Sequence, residues 1–372
     1  MNVGRGGNSR AHASVVYERG PIRDRNAEDD TGMKVFEVRD EWSLDHLRLG
    51  ERPAPVPGPH QVLLRMRAAS LNYRDLVVLR RGYGAASGTL PLIPVSDGVG
   101  EVVRLGAGVS RVALGDRVCP MFMPHYIGGE PTAERLSRTL GGPLDGVMAE
   151  MIAIDEQAVA KAPAHLSDEQ AATLPCAALT AWSAMITYGG VKAGDRVLVQ
   201  GTGGVSVFAL QFAKLHGACV TVISSSDDKL ARARALGADD GLNYRATPEW
   251  GKVVRERAGG DGYDHVVEVG GQQTLTQSLR AVRAGGTISL IGVLSGGNAE
   301  LRLGPVVTRH VRLQGITVGS RDGFEAMARA ITRHALEPVV ARVFEFEALP
   351  EALASLARGE HFGKICLRYP PD

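Results

Sequence analysis

The chain has 372 residues with 42 Lys and Arg against 41 Asp and Glu, so its formal net charge is only +1. This balance argues against nucleic acid or an anionic membrane surface as the main partner. A hydrophobic share of 44% is ordinary for a globular protein, and the length allows two domains with separate cores. There is no apolar run that spans a bilayer, no apolar signal-peptide segment and no paired cysteine spacing, so we expect reduced thiols and a cytoplasmic location.

The first part of the chain reads as a tail followed by short strands. Residues 1–32 show hardly any apolar pattern, which predicts a disordered N-terminal extension. Strands are predicted at 33–38, 61–68, 97–103 and 115–118, separated by turns, and this pattern is typical of a β-rich domain. The segment 120–146 is predicted to be a long irregular loop of a kind that is usually functional or mobile. Strand-like segments at 343–346 and 363–367 are expected to rejoin this domain.

The second part alternates strands with helices. The predicted strands are 197–200, 219–223, 265–269, 287–292 and 312–318, and the predicted helices lie near 204–216, 227–236, 248–258, 273–283 and 321–334. This alternation predicts an α/β domain with a doubly wound parallel sheet and helices on both faces. An earlier helical run starts at Asp168, is interrupted at Pro175, and ends at 189–190.

The glycine-rich stretch after the strand at 197–200 predicts a dinucleotide site. Gly201 permits a tight turn, Gly203 leaves room for a diphosphate, and the amides at the start of the next helix bind that anion. Ser206 stands where the usual fingerprint has its third glycine. A plain glycine turn is the alternative, but the flanking strands and the later strand–helix repeats favour the cofactor site.

The end of the second strand indicates which dinucleotide binds. Sites for NAD usually have an acidic residue there, whereas this chain has serines at 224–226. Hydroxyls and free amides accept a 2′-phosphate, and Lys229 and Tyr244 are placed to reach it. Asp227 and Asp228 argue for NAD, but we interpret them as helix caps. The prediction is therefore NADPH, with NAD as the less favoured cofactor.

Several motifs occur in a fixed order along the chain. They are Asn72-Tyr73-Arg74-Asp75 and the segments 94–102, 115–118, 171–182, 201–206 and 236–239. In these motifs the chain resembles the medium-chain dehydrogenase/reductase superfamily over about residues 33–372, and within it the zinc-independent alcohol dehydrogenase and quinone oxidoreductase-like branch. The resemblance implies a GroES-like catalytic domain at 33–158, completed by 336–372, and a Rossmann domain at 159–335.

The resemblance also bears on zinc. Zinc-dependent members place a cysteine, a histidine and a second cysteine around the metal, and the matching positions here are Asn72, Ser96 and Cys176. One thiol does not supply the three protein ligands that catalytic zinc needs, so no metal is predicted. The lobe with four cysteines is missing too, since 119–146 contains only Cys119. We interpret His125 as a surface histidine and Cys176 as a small packing residue.

Without a metal, charge on the substrate oxygen must meet donors that are already in place. Asn72 and Tyr73 are the candidates, because the resemblance places their loop against the nicotinamide, and Asp75 is a candidate for orienting them. The alternatives are that Asn72 caps the following helix, that Tyr73 lies in the core, and that Asp75 pairs with Arg74 or Arg80 on the surface.

The strand ends, the glycine turn and the resemblance together define the predicted cofactor-binding residues. These are Thr180, Gly201, Gly203, Gly204, Val205, Ser224, Ser225, Lys229, Tyr244, Gly270, Gly292, Val293, Val318, Phe362 and Lys364.

We therefore hypothesise a zinc-independent, NADPH-dependent oxidoreductase that transfers hydride between the nicotinamide and a carbonyl or alcohol, enone or quinone of a small molecule. The alternatives are a zinc-dependent alcohol dehydrogenase with displaced ligands, and a non-catalytic NADPH-binding sensor or structural protein. The resemblance implies a homodimer, in which the strand near 313–318 extends the sheet across two subunits.

Overall fold

The computed structural model describes Met1 and residues 32–371. Residues 2–31, which belong to the predicted disordered extension, lie outside the described residues. Gly32 belongs to the first strand, so the boundary predicted at residue 32 is wrong by this residue.

The N-terminal part is rich in strands, as predicted, and the structure shows that most of these strands pair antiparallel. Its elements are β1 (Gly32–Val38), β2 (Leu47–Pro53), β3 (Gln61–Ser70), α1 (Tyr73–Val78), β4 (Asp97–Leu105), β5 (Arg117–Pro120), α2 (Ala133–Leu136), β6 (Met151–Asp155) and β7 (Val159–Lys161). β1 pairs with β2, while β3 pairs with both β4 and β6. The predicted irregular segment 120–146 contains only one short helix, α2.

A helical run leads into the second sheet. α3 (Asp168–Ala172) begins with a capping box, in which the Ser167 hydroxyl accepts from the Gln170 backbone. α4 (Leu179–Trp182) lies between two π-helical turns, and the first of these contains Pro175. Proline lacks the backbone N–H, and here it lies in a widened turn instead of ending the helical run.

Six strands form the predicted parallel sheet, with helices between them. The elements are β8 (Arg196–Gln200), α5 (Gly204–Leu215), β9 (Cys219–Ser224), α6 (Asp227–Ala235), β10 (Asp240–Asn243), α7 (Trp250–Arg257), β11 (Tyr263–Glu268), α8 (Leu275–Ala281), β12 (Val282–Leu290), α9 (Leu303–Thr308), β13 (Arg312–Gly315) and α10 (Arg321–Arg333). The strand order is β10-β9-β8-β11-β12-β13, and every pairing is parallel. The order reverses direction between β8 and β11, which is where doubly wound folds bind ligands, outside the carboxyl ends of the strands.

Several strand boundaries differ from the prediction, and β10 was not among the predicted strands. β12 begins at Val282 instead of 287, and β13 ends at Gly315 instead of 318. Val318 has a left-handed backbone with φ of 50°, which does not continue a strand.

The C-terminal tail returns to the first sheet, as predicted. β14 (Val340–Glu345), α11 (Leu349–Arg358) and β15 (Lys364–Arg368) follow α10. β15 pairs in parallel with β14 and antiparallel with β3, so the chain end lies in the seven-stranded sheet. The domain boundaries at 158 and 335 stay predictions. None of the described helices is long and apolar enough to cross a membrane.

Candidate active site

The glycine turn lies at the carboxyl end of β8, beside the point where the strand order reverses. Gly201 has φ of 73°, a left-handed conformation that favours glycine. A Cβ added at Gly203 would meet nothing within 4 Å, so the turn is open on that side. Ser206 lies in the first turn of α5, and its hydroxyl donates to the Gln200 carbonyl at 2.6 Å. The serine at the third fingerprint position therefore ties α5 to β8.

The C-terminal segment lies directly against this turn. The Gly363 backbone donates to the Thr202 carbonyl at 3.0 Å, and Gly203 and Gly363 form an isolated parallel bridge. The aliphatic stem of Lys364 covers Gly204, where an added Cβ would overlap it. The buried Phe362 ring lies under the Arg232 guanidinium, 4.3 Å from the ring centroid. The predicted cofactor residues Phe362 and Lys364 are thus brought to the glycine turn.

The serine run lies at the end of β9. The Tyr244 backbone donates to the Ser224 carbonyl at 3.0 Å, which makes these two predicted residues neighbours. Ser226 caps α6, and Asp227 and Asp228 follow in the first turn, so the interpretation of the aspartates as the caps is wrong. The Lys229 ammonium donates to the Gly359 carbonyl at 2.9 Å, which ties α6 to the residue after α11.

The loops after β11 and β12 are shaped by Glu268, a residue that the sequence analysis missed. Its carboxylate is fully buried and is held by backbone and side-chain donors. These are the Gly270 and Gly271 amides at 2.7 and 3.0 Å, Thr274 Oγ1 at 2.6 Å, Gln200 Nε2 at 2.7 Å and Ser278 Oγ at 2.5 Å. The Gly292 backbone donates to the Glu268 carbonyl at 3.3 Å, and Val293 beside it is exposed. Glu268 therefore fixes the loops that carry Gly270 and Gly292.

The remaining predicted cofactor residues flank these loops. Thr180 is buried in α4, Val205 is half-buried in the first turn of α5, and Ser225 is half-buried after β9. Val318 is buried after β13.

Lys364 links the glycine turn to the loop before α1. Its Nζ donates to the Leu71 carbonyl and to Asn72 Oδ1, both at 2.5 Å, and the residue is 3% exposed. Asn72 Nδ2 is buried and has no hydrogen-bond partner among the described residues. The Asn72 backbone donates to Asp75 Oδ2 at 2.7 Å. Lysine and aspartate thus hold Asn72 from two sides and leave one amide donor unsatisfied.

The neighbours of Asn72 exclude two of the alternative interpretations. Tyr73 is 49% exposed, so its assignment to the core is wrong. Asp75 is 1% exposed, so it is not a surface partner of Arg74 or Arg80. Arg74 instead donates to the Leu140 and Gly142 carbonyls and to Thr139 Oγ1, and it lies over the Phe122 ring. It thereby holds the end of the 120–146 segment beside α1.

The other two positions that match zinc ligands surround Asp97. The Ser96 hydroxyl donates to Asp97 Oδ1 at 2.8 Å, and the Cys176 backbone donates to Asp97 Oδ2 at 3.1 Å. Burial raises the pKa of Asp97, while the Lys364 ammonium and the Asn72 side chain oppose the rise. Asn72 Nδ2 nevertheless has no bond of good geometry to this carboxylate.

These residues do not fit a zinc ion. Burial raises the pKa of the Cys176 thiol, with the charge of Asp97 adding to the rise. Of the three matching positions only Cys176 has a usual zinc-ligand side chain, whereas catalytic zinc needs three protein ligands. Asn72 Oδ1 is already bonded to an ammonium. Within residues 32–371, no group of three or more His, Cys, Asp or Glu side chains could hold a metal ion. His125 is exposed on its loop.

Asp75 should make stability depend on pH. Burial raises its pKa from 3.8 to about 6, against the smaller opposing effects of Arg74 and the Asn72 backbone. A raised carboxyl pKa stabilises the fold below the unfolded value, and this contribution is lost as pH rises through the folded value. We expect the free energy of unfolding to fall by about 3 kcal/mol between about pH 4 and pH 7, relative to that of Asp75→Asn. Chemical denaturation of both proteins measures this, and parallel pH profiles would contradict it.

Comparisons with known proteins match this architecture. The family model "Alcohol dehydrogenase GroES-like domain" matches residues 58–164, and "Zinc-binding dehydrogenase" matches residues 204–333. The zinc-type alcohol dehydrogenase-like protein C1773.06c of Schizosaccharomyces pombe is 42% identical over 343 residues, which cover 90% of this chain and 98% of that protein.

Solved structures of other proteins have a similar fold. An NAD-dependent alcohol dehydrogenase has a TM-score of 0.83 and 35% identity, covering 90% of this chain and 99% of its own. A 2-octenoyl-CoA carboxylase reductase in complex with NADP and 2-octenoyl-CoA has a TM-score of 0.81 and 26% identity, covering 92% of this chain and 88% of its own.

The fold, the glycine turn and these relatives define a pyridine-nucleotide oxidoreductase. More particularly, the chain belongs to the medium-chain dehydrogenase/reductase superfamily. The predicted fold class and family are confirmed.

Proposed function

We propose that the protein transfers hydride from NADPH to an aldehyde or ketone, an enone or a quinone without zinc. One observation carries this proposal. The positions that match zinc ligands contain an amide, a hydroxyl and a single thiol, and the buried ammonium of Lys364 bonds the amide. A positive charge is therefore already present beside these groups, supplied by the chain itself.

The residues described above form the proposed cradle for the cofactor. The amides at the start of α5 and the open side of Gly203 suit the diphosphate. Ser224, Ser225 and Tyr244 suit the 2′-phosphate, because no carboxylate stands at the end of β9 to repel it. Bound NADPH supplies a hydride from its nicotinamide ring.

All three substrate classes develop negative charge on a carbonyl oxygen when hydride adds to carbon. The electron pair of the broken π bond moves to that oxygen, and water supplies the proton that completes the product. Asn72 Nδ2 is the proposed donor to the oxygen, since it is unsatisfied in the free protein. The ammonium on Oδ1 polarises the amide and strengthens this donor. The exposed Tyr73 is the second candidate donor.

The direct experiment follows NADPH oxidation against a panel of aldehydes, ketones, enones and quinones. We expect turnover on at least one class, with NADPH preferred to NADH. NADPH binding without turnover on any class would contradict the proposal and favour a non-catalytic protein.

The cofactor preference gives a specific prediction at the end of β9. Ser224→Asp places a carboxylate where it would repel the 2′-phosphate and bond the ribose hydroxyls of NADH. We expect NADPH affinity to fall about tenfold or more, in the range of one lost charge-assisted hydrogen bond, while NADH affinity holds or rises. Fluorescence titration with both nucleotides measures this, and Ser224→Ala is the matched control. Equal losses for both nucleotides would mean that the 2′-phosphate lies elsewhere.

We also propose a homodimer formed by the outer edge of β13, which pairs with no other strand among the described residues. Because Ile316 donates inward to Leu290, the alternation of the strand turns the Gly315 amide outward. Gly315→Pro removes this amide and is expected to halve the mass measured by analytical ultracentrifugation. Gly315→Ala is the control, since an added Cβ meets nothing within 4 Å. A monomeric wild-type protein would refute the dimer.

A further inference from the structure

The connection between α11 and β15 is fixed at several points around the cofactor cradle. Lys229 holds the Gly359 carbonyl at its start, and Arg232 covers Phe362. At its end, Gly363 bonds the carbonyl of Thr202 in the glycine turn. His361 lies in the middle of this connection. The start of the connection contacts α6, which follows the serine run, and its end contacts the glycine turn before α5.

His361 has a buried polar atom without a partner. Its Nδ1 is shielded from solvent and makes no hydrogen bond to any described residue. Buried ring nitrogens normally have a hydrogen-bond partner, and a buried nitrogen without a hydrogen bond costs free energy. An unsatisfied nitrogen at this place therefore points to a group that binds there.

The charges around His361 indicate what kind of group this is. Burial, followed by the charges of Lys364 and Lys229, lowers the pKa of His361 to about 4, so the ring is neutral at neutral pH. Lys229 also faces the charges of Arg232 and Arg245, with Glu360 as the opposing acid. Both ammonium groups are thus close enough to act on the imidazole, and this mainly positive surrounding suits an anion.

We propose that His361 donates a hydrogen bond from Nδ1 to a phosphoryl oxygen of the bound dinucleotide. This inference rests on the proposed function only in that a nicotinamide dinucleotide occupies the cradle. Two parts of the ligand supply such oxygens. The diphosphate would lie near the Lys364 stem and the glycine turn, and the 2′-phosphate would lie near Lys229 and the serines. His361 belongs neither to the glycine fingerprint nor to the serine run. It is therefore an additional contact that contributes to cofactor affinity.

The test measures the dissociation constants of NADPH and NADH for the wild type, His361→Phe and His361→Asn. Phenylalanine keeps a ring and removes both nitrogens, whereas the Asn side-chain NH₂ lies close to the position of Nδ1. His334→Phe is the control, since His334 is exposed at the end of α10. Thermal melting of each variant confirms that it is folded.

We expect His361→Phe to weaken NADPH about tenfold or more, as for a hydrogen bond to a charged group, and His361→Asn to restore part of the loss. A loss for NADPH alone assigns the contact to the 2′-phosphate, and equal losses for both nucleotides assign it to the diphosphate.

The proposal is overturned if His361→Phe leaves both constants unchanged. It is also overturned if His361→Asn is as weak as His361→Phe, because ring packing would then explain the effect. A wild-type protein that binds neither nucleotide would instead refute the proposed function itself.

Discussion

Replacing Gly203 by valine is expected to weaken NADPH binding about 10- to 100-fold while the protein stays folded. Gly203 is open on one side, because an added Cβ would meet no protein atom within 4 Å. Its φ of −74° and ψ of −176° suit a β-branched residue. The added carbons of the valine would fill the space proposed for the diphosphate, and forced overlap of this size typically costs about 1–3 kcal/mol.

Equilibrium titration with NADPH and with NADH measures this effect, and both affinities should fall together. Gly304→Ala is the control, because a Cβ there also meets nothing within 4 Å and α9 is another element of the same sheet domain. Unchanged nucleotide affinity in Gly203→Val would place the diphosphate away from this turn.

Replacing Asn72 by leucine is expected to lower kcat about 10²- to 10³-fold with little change in NADPH affinity. Leucine has a similar volume but no amide, so the donor proposed for the substrate oxygen is lost, and the loss of one such donor has this size in other enzymes. The loss will be smaller if a water molecule takes the place of the amide.

Steady-state kinetics and NADPH titration separate the two effects. Tyr73→Phe is the matched variant, since it removes a neighbouring hydroxyl from an exposed side chain and leaves Asn72 in place. If Tyr73→Phe loses more activity than Asn72→Leu, the tyrosine is the main donor and the assignment of Asn72 is wrong.

Removing the charge of Lys364 by itself is expected to impair folding as well as catalysis. Lys364→Met would leave the buried Asp97 without its main compensating charge, so this variant tests folding as much as catalysis. A loss of kcat that persists when Asp97→Asn is added would be explained by the missing polarisation of Asn72.

Local sequence patterns were sufficient to predict most of the fold. The apolar strands and the glycine turn have short-range sequence patterns, so most elements from β8 to α10 were predicted, although β10 and α9 were not. The exceptions have local causes, such as the left-handed Val318, which ends β13 early. Pro175 was expected to interrupt a helix, and a widened turn accommodates it.

The candidate site was harder to predict, because its contacts join distant parts of the chain. The bond from Lys364 to Asn72 spans 292 positions, and no local spacing encodes it. Glu268 resembled the end of an ordinary strand until its donors from β8, α8 and the following loop were known. Asp75 could not be distinguished from a surface acid, because its burial depends on how the whole loop packs.

Metal dependence tests the central claim most directly. Zinc content and NADPH-dependent turnover should be measured on the same purified protein, before and after treatment with a strong chelator. Because the chain carries its own positive charge at Lys364, we expect full activity in the metal-stripped protein and no gain when zinc is added. Activity that disappears with the chelator and returns only with zinc would contradict it.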